Sequence, residues 1–536
     1  MKFAPGSLAV SVLMAATATA MTTTAARPDQ ASARTPASRF SVANPGTPGP
    51  LTSLQRRALR GALPSDPVAL RALKTAATAR VPAGAKSSRV PQPAHSPLPT
   101  MRASWPGIAA DGTSSPSDST GAIGPSSYIE NVNSIVSIYD RAGSPLATSA
   151  LDTWWGENGA RAFDPQVMWD PTSSRFYYTG DVIFGASDNR LAFGFSTTSD
   201  PAGLTAADWC QYDITYGSLF PDYPKLGDSR DFALIGVNVF GSSFVGSDII
   251  ALSKPGTGST CPAASTFAFG VDGPLSVNGA IQFTPVPANE IDTKGTGYVI
   301  TRSGRLPSTS IGVFSVTKAP NGSPIIATAG TSVTVPSYTA PANAPQSGTS
   351  AVLDTSDARF PQAVAAVDPI HGGKLRVWTQ HAVAGGAGSI QRWYEIRPRA
   401  ATLVQSGTVK SASLFVFDGA ISPDRVVNSS AEAFGENMVM SFVTSSSVTF
   451  PTIQMISKRA GLRSSSMVSV RTSPGPDTDF TCWTPPCRWG DYSAANPDPA
   501  ASTTGKTGVV WLTSMWTLPG STATTSWQTW NWSAKP

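Results

Sequence analysis

An aromatic residue leading into an acidic or polar turn and then a strand recurs along this chain. That recurrence restricts the fold more than any other feature. The copies are Phe163-Asp164-Pro165-Gln166, Phe220-Pro221-Asp222-Tyr223-Pro224-Lys225, Phe360-Pro361-Gln362 and Trp489-Gly490-Asp491-Tyr492-Ser493. In three of them a second Asp-Pro follows, then a turn-rich stretch and an aromatic strand. These are Asp170-Pro171 before Arg175-Phe176-Tyr177-Tyr178, Asp368-Pro369 before Leu375-Arg376-Val377-Trp378, and Asp498-Pro499 before Val509-Val510-Trp511. Small strand units repeated at intervals of several tens of residues are how a β-propeller is written in sequence. Runs such as Phe232-Ala233-Leu234-Ile235 and Met438-Val439-Met440-Ser441, punctuated by Gly, Asn and Asp, complete an all-β pattern. Innermost strands are expected to begin near Asp118, Asp164, Asp222, Gln282, Phe360, Ser430 and Asp491, giving a single β-propeller of about seven blades, with six as the alternative. The dense cluster Trp511, Trp516, Trp527, Trp530 and Trp532 predicts a last strand that pairs with the first blade and removes open sheet edges.

The N-terminal part has a different texture. Lys2, the apolar run Leu8 to Ala16 and Ala18-Thr19-Ala20 make residues 1–20 an expected export signal, in a run too short to span a bilayer. A secreted or extracellular bacterial protein without a transmembrane segment follows. Residues 21–104 are rich in Ala, Pro, Ser and Arg with almost no aromatics, so they are expected to be disordered, with possible short helices at Ser53 to Leu63 and Val68 to Arg80. Residues 105–536 are expected to form the propeller. The net charge of +5 owes much to Arg56, Arg57, Arg60, Arg71, Lys74 and Arg80, outside the repeats, which argues against a nucleic-acid partner. An even count of four cysteines in an exported chain points to disulfides, with Cys210–Cys261 and Cys482–Cys487 the favoured of three pairings. With three histidines and no Cys-x-x-Cys, a zinc site has no support.

Asp118-Ser119-Thr120-Gly121-Ala122-Ile123-Gly124-Pro125, followed by Tyr128 and Val132-Asn133, resembles the opening of a poorly characterised class of exported bacterial β-propeller proteins. Phe220 to Gly227, Arg392-Trp393-Tyr394-Glu395-Ile396 and Arg488 to Ser493 are similar to its later landmarks, in the same order. The class is placed beside the sialidase-like, Asp-box propellers. The resemblance implies a propeller and an extracellular setting, but no defined reaction. The Asp box itself, Ser-x-Asp-x-Gly-x-x-Trp, survives only in degenerate form at Ser199-Asp200-Pro201-Ala202-Gly203 with Trp209 further on.

Propellers bind ligands where inner strands begin, around the central channel. Asp118, Asp164, Asp222 and Asp491 would meet there, either holding calcium through carboxylate oxygens or capping their own turns. Glycoside hydrolysis needs two carboxyl groups flanking the sugar bond, and Asp164, Asp222, Asp491, Glu290 and Glu395 are the candidates. Arg161, Arg359, Arg392 and Arg488, with Tyr223 and Tyr492, are candidate ligand-binding residues, though Arg beside an aromatic also makes structural cation–π contacts. No Gly-x-Ser-x-Gly elbow, His-Glu-x-x-His helix or phosphate loop occurs, and His371 and His381 lie in Gly-rich surroundings. The expected role is monomeric recognition of an extracellular glycan or cell-wall polymer. The alternatives are a glycoside hydrolase or polysaccharide lyase, and a structural or protein-interaction scaffold.

Overall fold

The computed structural model of the protein describes residue 1 and residues 39–61, 63–80, 94–256, 258, 260–428, 431–522 and 524–536. Among them, seven sheets of four to six strands follow one another along the chain, beside two two-stranded pieces. The inner strands are Thr120–Ile123, Arg161–Asp170, Phe220–Asp228, Ala280–Pro287, Ala363–Asp368, Phe415–Pro423 and Ala494–Pro497. Most of these lie directly against the next, and the last returns to the first. Asn289–Glu290 runs on from the fourth inner strand and pairs parallel with the fifth. The result is all-β, with six antiparallel meanders arranged as propeller blades. The remaining sheet, which starts at Ser276–Val277, closes on itself. Gly297–Ser303 pairs with Ser308–Lys318, and Ser276–Val277 pairs parallel with Ala329–Tyr338.

Two copies of the recurring phrase, at Phe163 and Phe220, are inner-strand bulges, and two further bulges share their form. Ladder register shifts between Phe163 and Gln166, Asp222 and Lys225, Phe283 and Val286, and Phe417 and Ala420. In each the second residue is left-handed: Asp164 (φ 52°), Tyr223 (φ 61°), Thr284 (φ 55°) and Asp418 (φ 46°). Pro or Gly comes next, where the ladder is already broken and a missing N–H costs nothing. The second Asp-Pro has another task. Asp170, Asp368 and Asp498 accept N–H bonds from Thr172, Ile370 and Ala500, capping the turn after each inner strand. The sixth inner strand lies at Phe415–Pro423, well before the expected start near Ser430, which is itself outside the described residues. Phe417-Asp418 repeats the phrase there with Gly in place of Pro.

Closure joins the two chain ends, but in the last sheet rather than the first. Thr100–Ala109 is the outermost strand of that sheet and pairs antiparallel with Trp527–Lys535. Both expected disulfides are present, and Cys210–Cys261 ties the second sheet to the third.

The export signal lies, apart from Met1, outside the described residues. Within the segment expected to be disordered, residues 39–61 and 63–80 are described, and both of the possible short helices are among them. Arg39–Val42 adds a strand to the second sheet, with Phe40 stacked on Tyr212 at 5.1 Å. Helix α1 (Ser53–Ala58) starts from a capping box, in which Thr52 and Gln55 satisfy each other's backbone N–H groups. Gln55 also anchors it, donating to the Gly185 carbonyl and to Asn189. Leu54, Ala58 and Leu63 pack among Phe163, Phe220 and Phe283. Each buried leucine contributes about 1.5–3 kcal/mol, which explains how an aromatic-poor segment stays docked. Helix α2 (Pro67–Ala79) follows, capped by Asp66.

Replacing Cys210 and Cys261 by Ser is expected to cost roughly 2–4 kcal/mol of stability, because the bond closes a long loop. Chemical denaturation checks this, and an unchanged midpoint would remove that bond from the ring's support.

Candidate functional site

Charged and aromatic side chains from the inner strands and from the segments leading into them meet and fasten one blade to another. The Asp118 carboxylate accepts the Asp491 N–H at 2.6 Å and the Asn133 amide at 2.7 Å. Asp164 accepts the Tyr492 hydroxyl at 2.7 Å, and Tyr223 donates to the Asp491 carbonyl at 2.7 Å. Lys225 Nζ lies between two ring faces, 3.3 Å from the Tyr492 centroid and 3.8 Å from that of Tyr223. Arg488 pairs with Asp491, and with Asp354 at 3.3 Å. Arg359 grips Asp357 through Nε at 2.8 Å and Nη2 at 2.9 Å, with its guanidinium 4.6 Å from the Tyr223 ring centre.

The N-terminal segment completes the mouth. The Leu63 N–H donates to Asp222 at 3.0 Å, and the Leu63 carbonyl accepts from Arg359 at 2.9 Å. Lys74 donates to Asp354 at 2.8 Å and to Asn343 at 2.6 Å. Gly61, at φ +135°, lies so close to the Arg488 guanidinium that a Cβ would come within 1.9 Å of it. The axial cavity left beneath is about 20 Å³, bordered by Tyr223, Arg359, Asp418 and Asp491. That is room for about one water.

Burial sets the electrostatics. It pushes Asp222 up to about 7 against the pull of Arg359 and the Leu63 N–H, and Asp118 up to about 6 with help from the Asp491 charge. Asp164, Asp181 and Asp418 are driven well above the carboxylate range by burial and by one another's or Asp118's charge. Burial also pushes Lys225 well down, against the charges of Asp164, Asp491 and Asp118. Asp354 goes the other way. Burial would raise it, but Lys74 and Arg488 outweigh burial and hold it at about 2.

Of the residues expected at the site, Asp118, Asp164, Asp222, Asp491, Tyr223, Arg359, Arg488 and Tyr492 come together. Capping of their own turns does not describe three of the aspartates. Asp118, Asp164 and Asp222 accept bonds from other segments and not from their own turns. Calcium fits poorly: the guanidinium groups of Arg359 and Arg488 stand among these carboxylates, where they would repel a cation. Arg161 is exposed at the rim of a separate cavity with Leu59 and Phe480. Arg392 donates to the Pro336 and Ser337 carbonyls. Glu395 sits on a flank with Asp368 and His371, pushed up to about 8 by burial and a shared hydrogen bond with Asp368. Glu290 is buried elsewhere, pushed up to about 9 by burial and the Asp228 charge. His381 stacks on Phe360 at 4.4 Å, and burial lowers it to about 3, so it stays neutral.

Sequence reasoning missed Asp181, Lys225, Asp354, Asp357, Asp418, Leu63 and Lys74. Phe417-Asp418 carried the same signal as Phe163-Asp164, and Lys225 ends a quoted motif. The others carried none. A larger cavity of about 1230 Å³ lies on a flank, lined by Lys294, Lys374, Arg397 and Arg399, and no carboxylate lines it.

No family model and no curated protein matches the chain. Among solved structures it is similar to a Synechocystis apocarotenoid oxygenase variant (10% identity, 66% of this chain, 74% of that one, TM-score 0.34). It is also similar to an endo-1,5-α-L-arabinanase from Thermotoga petrophila (12%, 82% and 100%, TM-score 0.29). A third is an exo-β-1,3-galactanase from Phanerochaete chrysosporium (10%, 69% and 91%, TM-score 0.26). Likenesses this distant carry no chemistry across.

Because Asp118 and Asp222 titrate higher folded than unfolded, their share of stability is complete below about pH 4 and fades as pH rises to about 7. Asp222→Asn, which can still accept the Leu63 N–H, is expected to flatten that decline in melts between pH 4 and 8. An unaltered slope would show that Asp222 titrates normally.

Proposed function

We propose that the protein is a secreted β-propeller that recognises an extracellular carbohydrate polymer at the mouth of its central channel. The self-closing sheet takes one blade position, which makes seven blades. The observation carrying this reading is the meeting of Asp222, Arg359, Arg488 and Tyr223 beneath a rim of Phe163, Phe220 and Phe283. Charged donors and acceptors held in fixed orientation suit ligand hydroxyls, and aromatic faces suit the apolar side of sugar rings. The two disulfides support an oxidising compartment, and among the described residues no helix is long and apolar enough to cross a membrane. A ring closed within one chain supports a monomer.

Hydrolysis is the second reading, favoured by one observation. Asp222, raised to about 7, would be protonated near neutral pH, as a glycosidic general acid must be.

The test is retention on immobilised neutral and acidic polysaccharides, with reducing-sugar release followed in parallel. Residues 51–61 and 63–80 cover the mouth, so intact protein is compared with protein nicked by trypsin at the exposed Arg56, Arg57 and Arg60. At least one form is expected to bind some polysaccharide, and Arg359→Lys to weaken that binding at least tenfold. Sugar release would select the hydrolase. If neither form binds any polysaccharide, the carbohydrate reading is wrong.

A further inference from the structure

The mouth of the channel is closed by the protein's own chain, and the closure has the form of a ligand. Residues 61–74 give it one main-chain donor, one main-chain acceptor and an ammonium group: the Leu63 N–H to Asp222, the Leu63 carbonyl to Arg359, and Lys74 Nζ to Asp354. Leu63 fills the aromatic rim beside Phe163, Phe220 and Phe283. Gly61, at φ +135°, holds a conformation that residues with a Cβ rarely adopt, and lies against the Arg488 guanidinium. None of these contacts belongs to a sheet ladder. Neither α1 nor α2 is long enough to be stable alone in water, so both depend on docking.

The occupant leaves part of the site unmatched. Asp222 Oδ1, Arg359 Nη1 and Arg488 Nε are buried with no hydrogen-bond partner among the described residues. A buried polar atom without a partner costs free energy. A polyhydroxylated ligand could satisfy all three, whereas the peptide satisfies none of them. The remaining cavity of about 20 Å³ excludes any sugar.

We propose that residues 51–80 are a built-in plug. They occupy the ligand site as a tethered stand-in, and a polymer ligand enters only after they are displaced or cut. The proposal rests on the mouth being the ligand site. Arg56, Arg57, Arg60 and Arg71 line the exposed outer side of the segment, within reach of a protease or an acidic surface.

The test uses the full chain with Leu63→Asp and Lys74→Glu, which remove the apolar and ionic anchors without altering the propeller. Gly61→Val is a second route, since a branched side chain would collide with Arg488. In either variant trypsin is expected to cut at Arg56, Arg57 and Arg60 at least tenfold faster than in wild type, with the propeller's melting transition retained. A synthetic peptide of residues 51–80 is expected to bind the released variant and not the wild type. Polysaccharide retention is expected to rise at least tenfold on release. Wild type that binds polysaccharide as well as the released variants would overturn the plug. So would a peptide that fails to bind the released variants. If the peptide rebinds and no polysaccharide does, the plug stands and the carbohydrate reading falls.

Discussion

Charges buried on the ring axis can persist only if each is matched, and that matching organises the rest of the molecule. A carboxylate taken out of water loses several kcal/mol of hydration. Asp118, Asp164, Asp222, Asp354, Asp357 and Asp491 recover this through arginines, a tyrosine hydroxyl and backbone N–H groups from other blades. Some of these contacts also tie one blade to another, as Asp118 to Asp491 and Asp164 to Tyr492. Where burial and neighbouring carboxylates outweigh such partners, the pKa rises, as at Asp164 and Asp418.

Strain belongs to the same arrangement. Non-glycine residues at positive φ cost on the order of 1–3 kcal/mol each. Asp164, Tyr223, Thr284 and Asp418 all adopt that conformation at inner-strand bulges. At three of these bulges the left-handed residue hydrogen-bonds to another sheet or the segment beside it: Asp164 to Asn133, Tyr223 to Asp491 and Thr284 to Asn238. Asp tolerates the left-handed region better than most residues, which suits Asp164 and Asp418, while Tyr223 and Thr284 hold it at the other two bulges.

Much of this was legible because two copies of the phrase are themselves bulges. At Phe163 and Phe220 the aromatic, the acid and the nearby Pro each have a local physical reason to stand there, whereas the copy at Trp489 lies in the segment leading into its strand. The Gly-containing copy at Phe417-Asp418 escaped notice, and the sixth inner strand was misplaced with it. Arg161, Arg392 and Glu395 failed for a different reason. Their residue types suited the chemistry, but strand direction sends Arg392 to the carbonyls of the neighbouring sheet and Glu395 to a flank. The N-terminal segment was least legible. Its composition reads as disorder, and only the ring it docks on supplies the aromatic surface and the charges that hold residues 51–80.

The account stands or falls on whether the axis is dry and sealed by that segment. Amide hydrogen exchange on the intact protein reads this directly at Leu63 and Asp491, whose N–H groups point at buried carboxylates. Both are expected to exchange as slowly as amides inside the inner strands. Exchange at Leu63 as fast as in an unstructured peptide would contradict it.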